Sequence, residues 1–117
     1  MGRLTTHVLD IAHGTPGAGI EVALYRNLDA RYALVKTDVT NPDGRCTLPL
    51  LEGAALAVGR YRLVFRAGAY FAAKGVQLPD PPFVDEVVLE FGVADADAHY
   101  HVPLIVSPWG YSTYRGS

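Results

Sequence analysis

Residues 85–93 read DEVVLEFGV. In an extended chain Val87, Leu89, Phe91 and Val93 fall on one side while Glu86, Val88 and Glu90 fall on the other, which is the period of a half-buried strand. YRLVFRA at 61–67 repeats the pattern, with Tyr61, Leu63, Phe65 and Ala67 opposed to Arg62, Val64 and Arg66. Shorter apolar runs at 4–12, 20–26, 32–37 and 100–107 are mostly rich in β-branched residues or tyrosine, and each is bounded by Gly, Pro, Asn or Asp. Strands this short, at this spacing, predict an all-β protein built as a two-sheet sandwich.

The punctuation between the runs agrees. NPDG at 41–44 has the Asn, Pro and Gly placement of a type I turn, and SPWG at 107–110 repeats the Pro and Gly; both are expected to be tight reversals between strands. GTPGAG at 14–19 reads as loop, and PDPP at 79–82 cannot hold a strand ladder because proline has no amide donor. Only AYFAAKG at 69–75 has the makings of a helix, a short one.

Size and composition exclude several classes. A chain of 117 residues is expected to form one domain over 1–117, burying about 65% of its unfolded surface. With 50% hydrophobic residues, 19% charged residues and a formal charge of -2, it has neither the polarity of a disordered chain nor the basic excess of a nucleic-acid binder. The apolar runs are far short of the roughly 20 residues a membrane helix needs, so no membrane association is expected. The single cysteine, Cys46, excludes an internal disulfide framework and a cysteine-based zinc site. It suits a reducing compartment, and the expected location is the cytoplasm.

Four histidines are present, and three stand in strand-like segments at the two ends: His7 in LTTHVLDIA, His99 and His101 in HYHVPLIVSPWG. Side chains two apart share a strand face, so His99, His101, Pro103 and Ile105 point one way, and Tyr100, Val102, Leu104 and Val106 the other, the expected core face. In the first segment Leu4, Thr6 and Val8 oppose Thr5, His7, Leu9 and Ile11, and the pattern does not say which set is inward. Adjacent imidazoles on one face repel when both are protonated, so at least one is expected to be neutral near pH 7, available as a base or a metal ligand. A lone histidine of this kind is more often a satisfied structural residue. No HExxH, CxxC or carboxylate-rich ligand spacing accompanies the three, and no GxSxG marks Ser112 as a nucleophile. Arg45, after the NPDG turn, reads by itself as a solvated surface charge. The final YSTYRGS is dense in hydrogen-bonding groups, and its tyrosines at 111 and 114 favour a tail packed on the sandwich or on another subunit.

LTTHVLDIAHGTPGAG near the start, DGR at 43–45 and YHVPLIVSPWGYSTYRGS at the end resemble the 5-hydroxyisourate hydrolases of the transthyretin-like family. The likeness covers essentially the whole chain, and the terminal YRGS is its most specific element, because transthyretin proper, the hormone carrier, lacks that ending and the histidine and arginine set. The resemblance implies a sandwich with one short helix, assembled as a homotetramer whose active sites lie at subunit interfaces. It implies hydrolysis of 5-hydroxyisourate to 2-oxo-4-hydroxy-4-carboxy-5-ureidoimidazoline in urate degradation. Carried over by position, His7, Arg45 and His101 are the catalytic group, with His99, Tyr114, Arg115, Gly116 and Ser117 binding substrate. The chemistry requires no cofactor and no metal, although three converging histidines could capture zinc adventitiously. The competing expectation is a carrier that uses the same channel to bind a small molecule without chemistry. A third reading is a monomeric structural module in which the histidines are incidental.

Overall fold

The computed structural model describes residues 1–116. In chain order the elements are β1 (Arg3–Asp10), β2 (Thr15–Pro16), β3 (Glu21–Leu28), β4 (Arg31–Val39), β5 (Leu51–Glu52), β6 (Gly59–Arg66), α1 (Ala67–Ala73), β7 (Glu86–Val93), β8 (His99–Ser107) and β9 (Gly110–Thr113). They form two sheets. One runs β2-β1-β8-β9 with β5 paired to β1, and the other runs β4-β3-β6-β7. The expected two-sheet sandwich with one short helix is therefore what the chain builds.

Alternation decides which faces meet. Tyr61, Leu63 and Phe65 of β6 and Val87, Leu89 and Val93 of β7 are buried, as their period requires. Across from them lie Tyr100, Val102, Leu104 and Val106 of β8. β1, whose pattern was ambiguous, buries Leu4, Thr6 and Val8 and turns Thr5, His7 and Leu9 outward. Thr6 is accommodated because its hydroxyl donates to the Val102 carbonyl at 2.7 Å, leaving no unpaired polar atom on the inner face. Every other strand pair is antiparallel, but β1 and β8 run parallel, with Arg3 beside His99, Thr5 beside His101 and His7 beside Pro103. The outward faces of the first and last long strands thereby become one surface.

Three local expectations need correction. GTPGAG is not all loop: Thr15 and Pro16 pair with Asp10 and Leu9 as the edge strand β2. A proline is tolerated there because an edge strand donates on one side only. NPDG does make its turn, with the Gly44 amide donating to the Asn41 carbonyl at 2.8 Å. It does not fold one strand onto its neighbour. The chain leaves β4 in one sheet and crosses to β1 in the other, where Arg45 forms an isolated antiparallel bridge with His7. SPWG, by contrast, is the expected hairpin, pairing Ser107 with Gly110. Finally Ala67, expected at the end of a strand, opens α1 instead.

The fourth histidine, His13, belongs to the scaffold. The carboxylate of Asp10 is fully buried at the end of β1. It accepts from the Tyr70 hydroxyl at 2.8 Å and from Nδ1 of His13 at 2.6 Å, with the His13 amide on its other oxygen at 3.0 Å. Burial alone would raise the Asp10 pKa, yet these three donors hold it below its ordinary value. The cluster ties α1 to β1.

Gly44 has φ of +76° and an ideal Cβ there would lie 2.5 Å from the Val8 carbonyl oxygen. Its own carbonyl accepts the Val8 amide at 2.8 Å. Gly44→Ala therefore meets both left-handed strain and a backbone clash, and it is expected to destabilise the protein by about 1–3 kcal/mol. Thermal denaturation of the variant beside wild type measures this.

Candidate active site

Two strands and one turn place the three histidines and Arg45. β8 carries His99 and His101 on its outward face, and the parallel register sets β1 beside it, so that the rings of His7 and His101 lie 6.5 Å apart and those of His99 and His101 6.1 Å apart. All three histidines are half-buried. On the far side of β1, the NPDG turn delivers Arg45. Asn41 governs this: its Oδ1 accepts from the amides of Asp43 at 2.9 Å and Arg45 at 3.1 Å, and its own amide donates to the Arg45 carbonyl at 2.8 Å. An asparagine suits this position because its short side chain can accept from backbone amides two or more residues ahead. The turn chosen for its local geometry thus also fixes a cation beside His7.

The electrostatics follow from that crowding. His7 is held below the ordinary imidazole value of 6.5 by burial and then by the Arg45 guanidinium, with the backbone and carboxylate of Asp43 pulling the other way. His101 is lowered by burial, then by Arg45, His99 and His7. His99 is lowered by burial, then by Arg3 and Arg115. Cations and other imidazoles disfavour a further positive charge, so neutral rings stand beside a permanent guanidinium. Such an arrangement can take a proton from water while steadying negative charge on a neighbouring oxygen.

The tail is divided between two surroundings. Gly116 donates its amide to the His101 carbonyl at 2.8 Å, and an ideal Cβ on it would stand 2.6 Å from the His101 ring. Only glycine fits against that ring. Arg115 lies over the Tyr100 ring at 4.2 Å and donates to the His99 carbonyl at 3.3 Å. Tyr114 and Arg115 border an apolar cleft at the sandwich edge with Leu89, Phe91 and Val102, so their side chains are set apart from His7 and Arg45. Tyr111 and Tyr114 are exposed within the single chain, although β9 itself is firmly paired to β8. Ser117 lies outside the described residues.

Two residues escaped the sequence reading. Thr5 bonds both His99 and His101 through one hydroxyl oxygen, at 2.8 Å each. Its position two before His7 placed it on the same face, but only the parallel register reveals its partners. Asn41 was legible as a turn former and not as the clamp on Arg45. Cys46 is half-buried and its thiol is pushed up to about 12, first by burial and then by Asp38, so it is no nucleophile near neutrality.

A sequence profile described as the HIUase/Transthyretin family matches residues 4–116. The chain belongs to this family. It is 62% identical to a Ralstonia nicotianae protein named 5-hydroxyisourate hydrolase over 117 residues, covering 100% of each chain. Among solved structures it resembles Klebsiella pneumoniae 5-hydroxyisourate hydrolase, with a TM-score of 0.80 at 36% identity and 100% of each chain covered. It also resembles sea bream transthyretin in complex with thyroxine, with a TM-score of 0.87 at 25% identity, covering 97% of this chain and 94% of that one. Backbone shape alone does not tell the named hydrolase from the transthyretin.

Because His7, His99 and His101 bind protons less readily in the folded protein than in the unfolded chain, the unfolded state gains protons first as the pH falls. Stability from this source is present above 6.5 and is lost as pH falls below that value toward the folded pKa values. Urea unfolding as a function of pH is expected to show that decline. An NMR titration is expected to place all three midpoints below 6.5.

Proposed function

We propose that this protein is a cytoplasmic hydrolase that opens the ring of 5-hydroxyisourate, giving 2-oxo-4-hydroxy-4-carboxy-5-ureidoimidazoline in urate degradation, with residues 1–117 acting as one domain. The observation that carries this reading is the meeting of His7, His99 and His101 with Arg45 on one sheet face, in a chain 62% identical to a named 5-hydroxyisourate hydrolase over its full length. His7 and His101 position and activate water for attack on a cyclic carbonyl. Arg45 holds the planar substrate and the developing oxyanion through its rigid fork of donors. His99, Tyr114, Arg115, Gly116 and Ser117 bind substrate, Tyr114 and Arg115 doing so through an assembled neighbour, since within one chain they border the edge cleft. General base catalysis contributes about 10²- to 10⁴-fold, and an oxyanion donor about 10²- to 10³-fold.

The same face supports a homotetramer with sites at its interfaces. Leu9 and Ile11 are exposed in the single chain, and Leu9 follows His7 on the outer side of β1. Apolar surface of this kind marks an interaction site. Size-exclusion chromatography is expected to give a species near four times 12.6 kDa, and a monomer would remove the interface sites from the reading.

Likeness to thyroxine-bound transthyretin favours a second reading, a carrier without chemistry. A carrier's pocket is mainly apolar, and three imidazoles with a guanidinium are poorly suited to it. Generating 5-hydroxyisourate from urate and urate oxidase, then following its ultraviolet decay, separates the two. The protein is expected to speed the decay. His7→Ala and His101→Ala are each expected to lose about 10²-fold or more, and Arg45→Ala about 10²- to 10³-fold. Unchanged turnover in Arg45→Ala would remove the oxyanion role, and no acceleration by wild type would leave the carrier. Activity is expected to survive EDTA, since no step above uses a metal.

A further inference from the structure

The hydroxyl of Thr5 stands between two rings, 2.8 Å from Nε2 of His99 and 2.8 Å from Nδ1 of His101. A threonine hydroxyl has one proton to give, and a neutral imidazole has one N–H and one bare nitrogen. Among the described residues this hydroxyl has no other side-chain partner. Its proton therefore goes to one ring while its lone pair takes the N–H of the other. Two arrangements satisfy this. In the first, His101 donates from Nδ1 to Thr5, Thr5 donates to Nε2 of His99, and Nε2 of His101 is bare. In the second every proton is shifted along, and Nε2 of His101 carries hydrogen and cannot act as a base.

We infer that Thr5 is a positioning residue of this site: its hydroxyl joins His99 and His101 into one unit that holds Nε2 of His101 bare and takes up a single extra proton. The inference rests on the hydrolase reading for its substrate. Its geometric basis is independent of that reading, because the register of β1 on β8 alone puts Thr5 beside His101 and Arg3 beside His99. The charges around the pair disfavour added protons on either ring. Arg45 and His7 face His101, while Arg3 on β1 and Arg115 from the tail face His99. Nδ1 of His101 is the nitrogen engaged by Thr5, so Nε2 is the one left to meet water, and of the two arrangements only the first leaves it bare. A second extra proton would make both rings donors to one oxygen and strand the hydroxyl proton between them.

The proton count closes over a turnover. Nε2 of His101 takes a proton from water as the water oxygen bonds to the carbonyl carbon and the carbonyl π pair moves onto its oxygen. The Nδ1 proton of His101 shifts to Thr5, and the hydroxyl proton shifts to Nε2 of His99, so that the new charge passes to His99 and His101 is again neutral. When the C–N bond breaks, the leaving nitrogen takes the Nε2 proton of His101, the oxyanion reforms its double bond, and the two shifted protons return.

Thr5→Val keeps the β-branched shape in a strand and removes only the hydroxyl, while Thr5→Ser keeps it. The test pairs the decay assay with ¹⁵N shifts of the imidazole nitrogens. Wild type and Thr5→Ser are expected to show His101 protonated at Nδ1 and bare at Nε2, and Thr5→Val to lose that preference. In Thr5→Val kcat is expected to fall about 10- to 100-fold, taking the scale on which hydrogen-bond partners orient metal-bound histidines, with KM little changed and Thr5→Ser restoring the rate. The acid limb of the rate is expected to broaden as the two rings titrate separately. Wild-type kcat and pH profile in Thr5→Val, or an Nε2-protonated His101 in wild type, would overturn the inference. Should wild type fail to speed the decay, the hydrolase reading falls, and the nitrogen shifts still decide the role of Thr5.

Discussion

The parallel pairing of β1 with β8 is the contact on which the rest of the molecule depends. It joins the two ends of the chain at the centre of one sheet, aligning Arg3 with His99 and Asp10 with Val106 without a slip. Side chains in a strand alternate, so a shift of one residue would exchange the whole inner and outer sets. Leu4, Thr6 and Val8 would then leave the core, and Thr5 and His7 would enter it. The same hydrophobic requirement that fixes the core thereby fixes which polar groups face one another outside. The candidate site inherits its precision from burial on the opposite side of the sheet.

Around that pairing, local chemistry adds what register cannot. Asn41 closes the turn that carries Arg45, and Gly44 allows the turn to approach β1 closely enough for its carbonyl to take the Val8 amide. Gly116 performs a comparable service at the other edge, where its missing side chain lets the tail lie against the His101 ring. Small or turn-forming residues at these points act through the space they leave.

Much of this was legible from residue order. Alternation at 61–67 and 85–93 placed the inner faces of β6 and β7, and the two-apart rule put His99 and His101 together with His7 available on its own strand. Periodicity, however, reports faces and not partners. Nothing in LTTHVLDIA says that it pairs parallel to a segment more than ninety residues away, so Thr5 stayed hidden although its neighbours did not. GTPGAG misled for a related reason: an edge strand of two residues needs only a nearby ladder, and its composition was read without one. NPDG announced a turn but could not reveal that the chain changes sheets there. The tail residues Tyr114 and Arg115 were placed by likeness, and their side chains within one chain point to a different cleft from His7 and Arg45.

The separation of Thr5 from its partners, 94 residues to His99 and 96 to His101, also bears on how the protein comes into being. Closing a loop of that length carries an entropic cost of about 4 kcal/mol, which is recovered only once the long ladder has zipped. Topologies dominated by such distant contacts fold slowly compared with those built from local ones. During synthesis β1 leaves the ribosome well before β8 and must wait, with its apolar side unpaired, until β8 has followed. A truncated chain lacking β8 would have a strand edge open to other chains in place of a site. Chemical competence and protection from aggregation arrive together, once β8 is made.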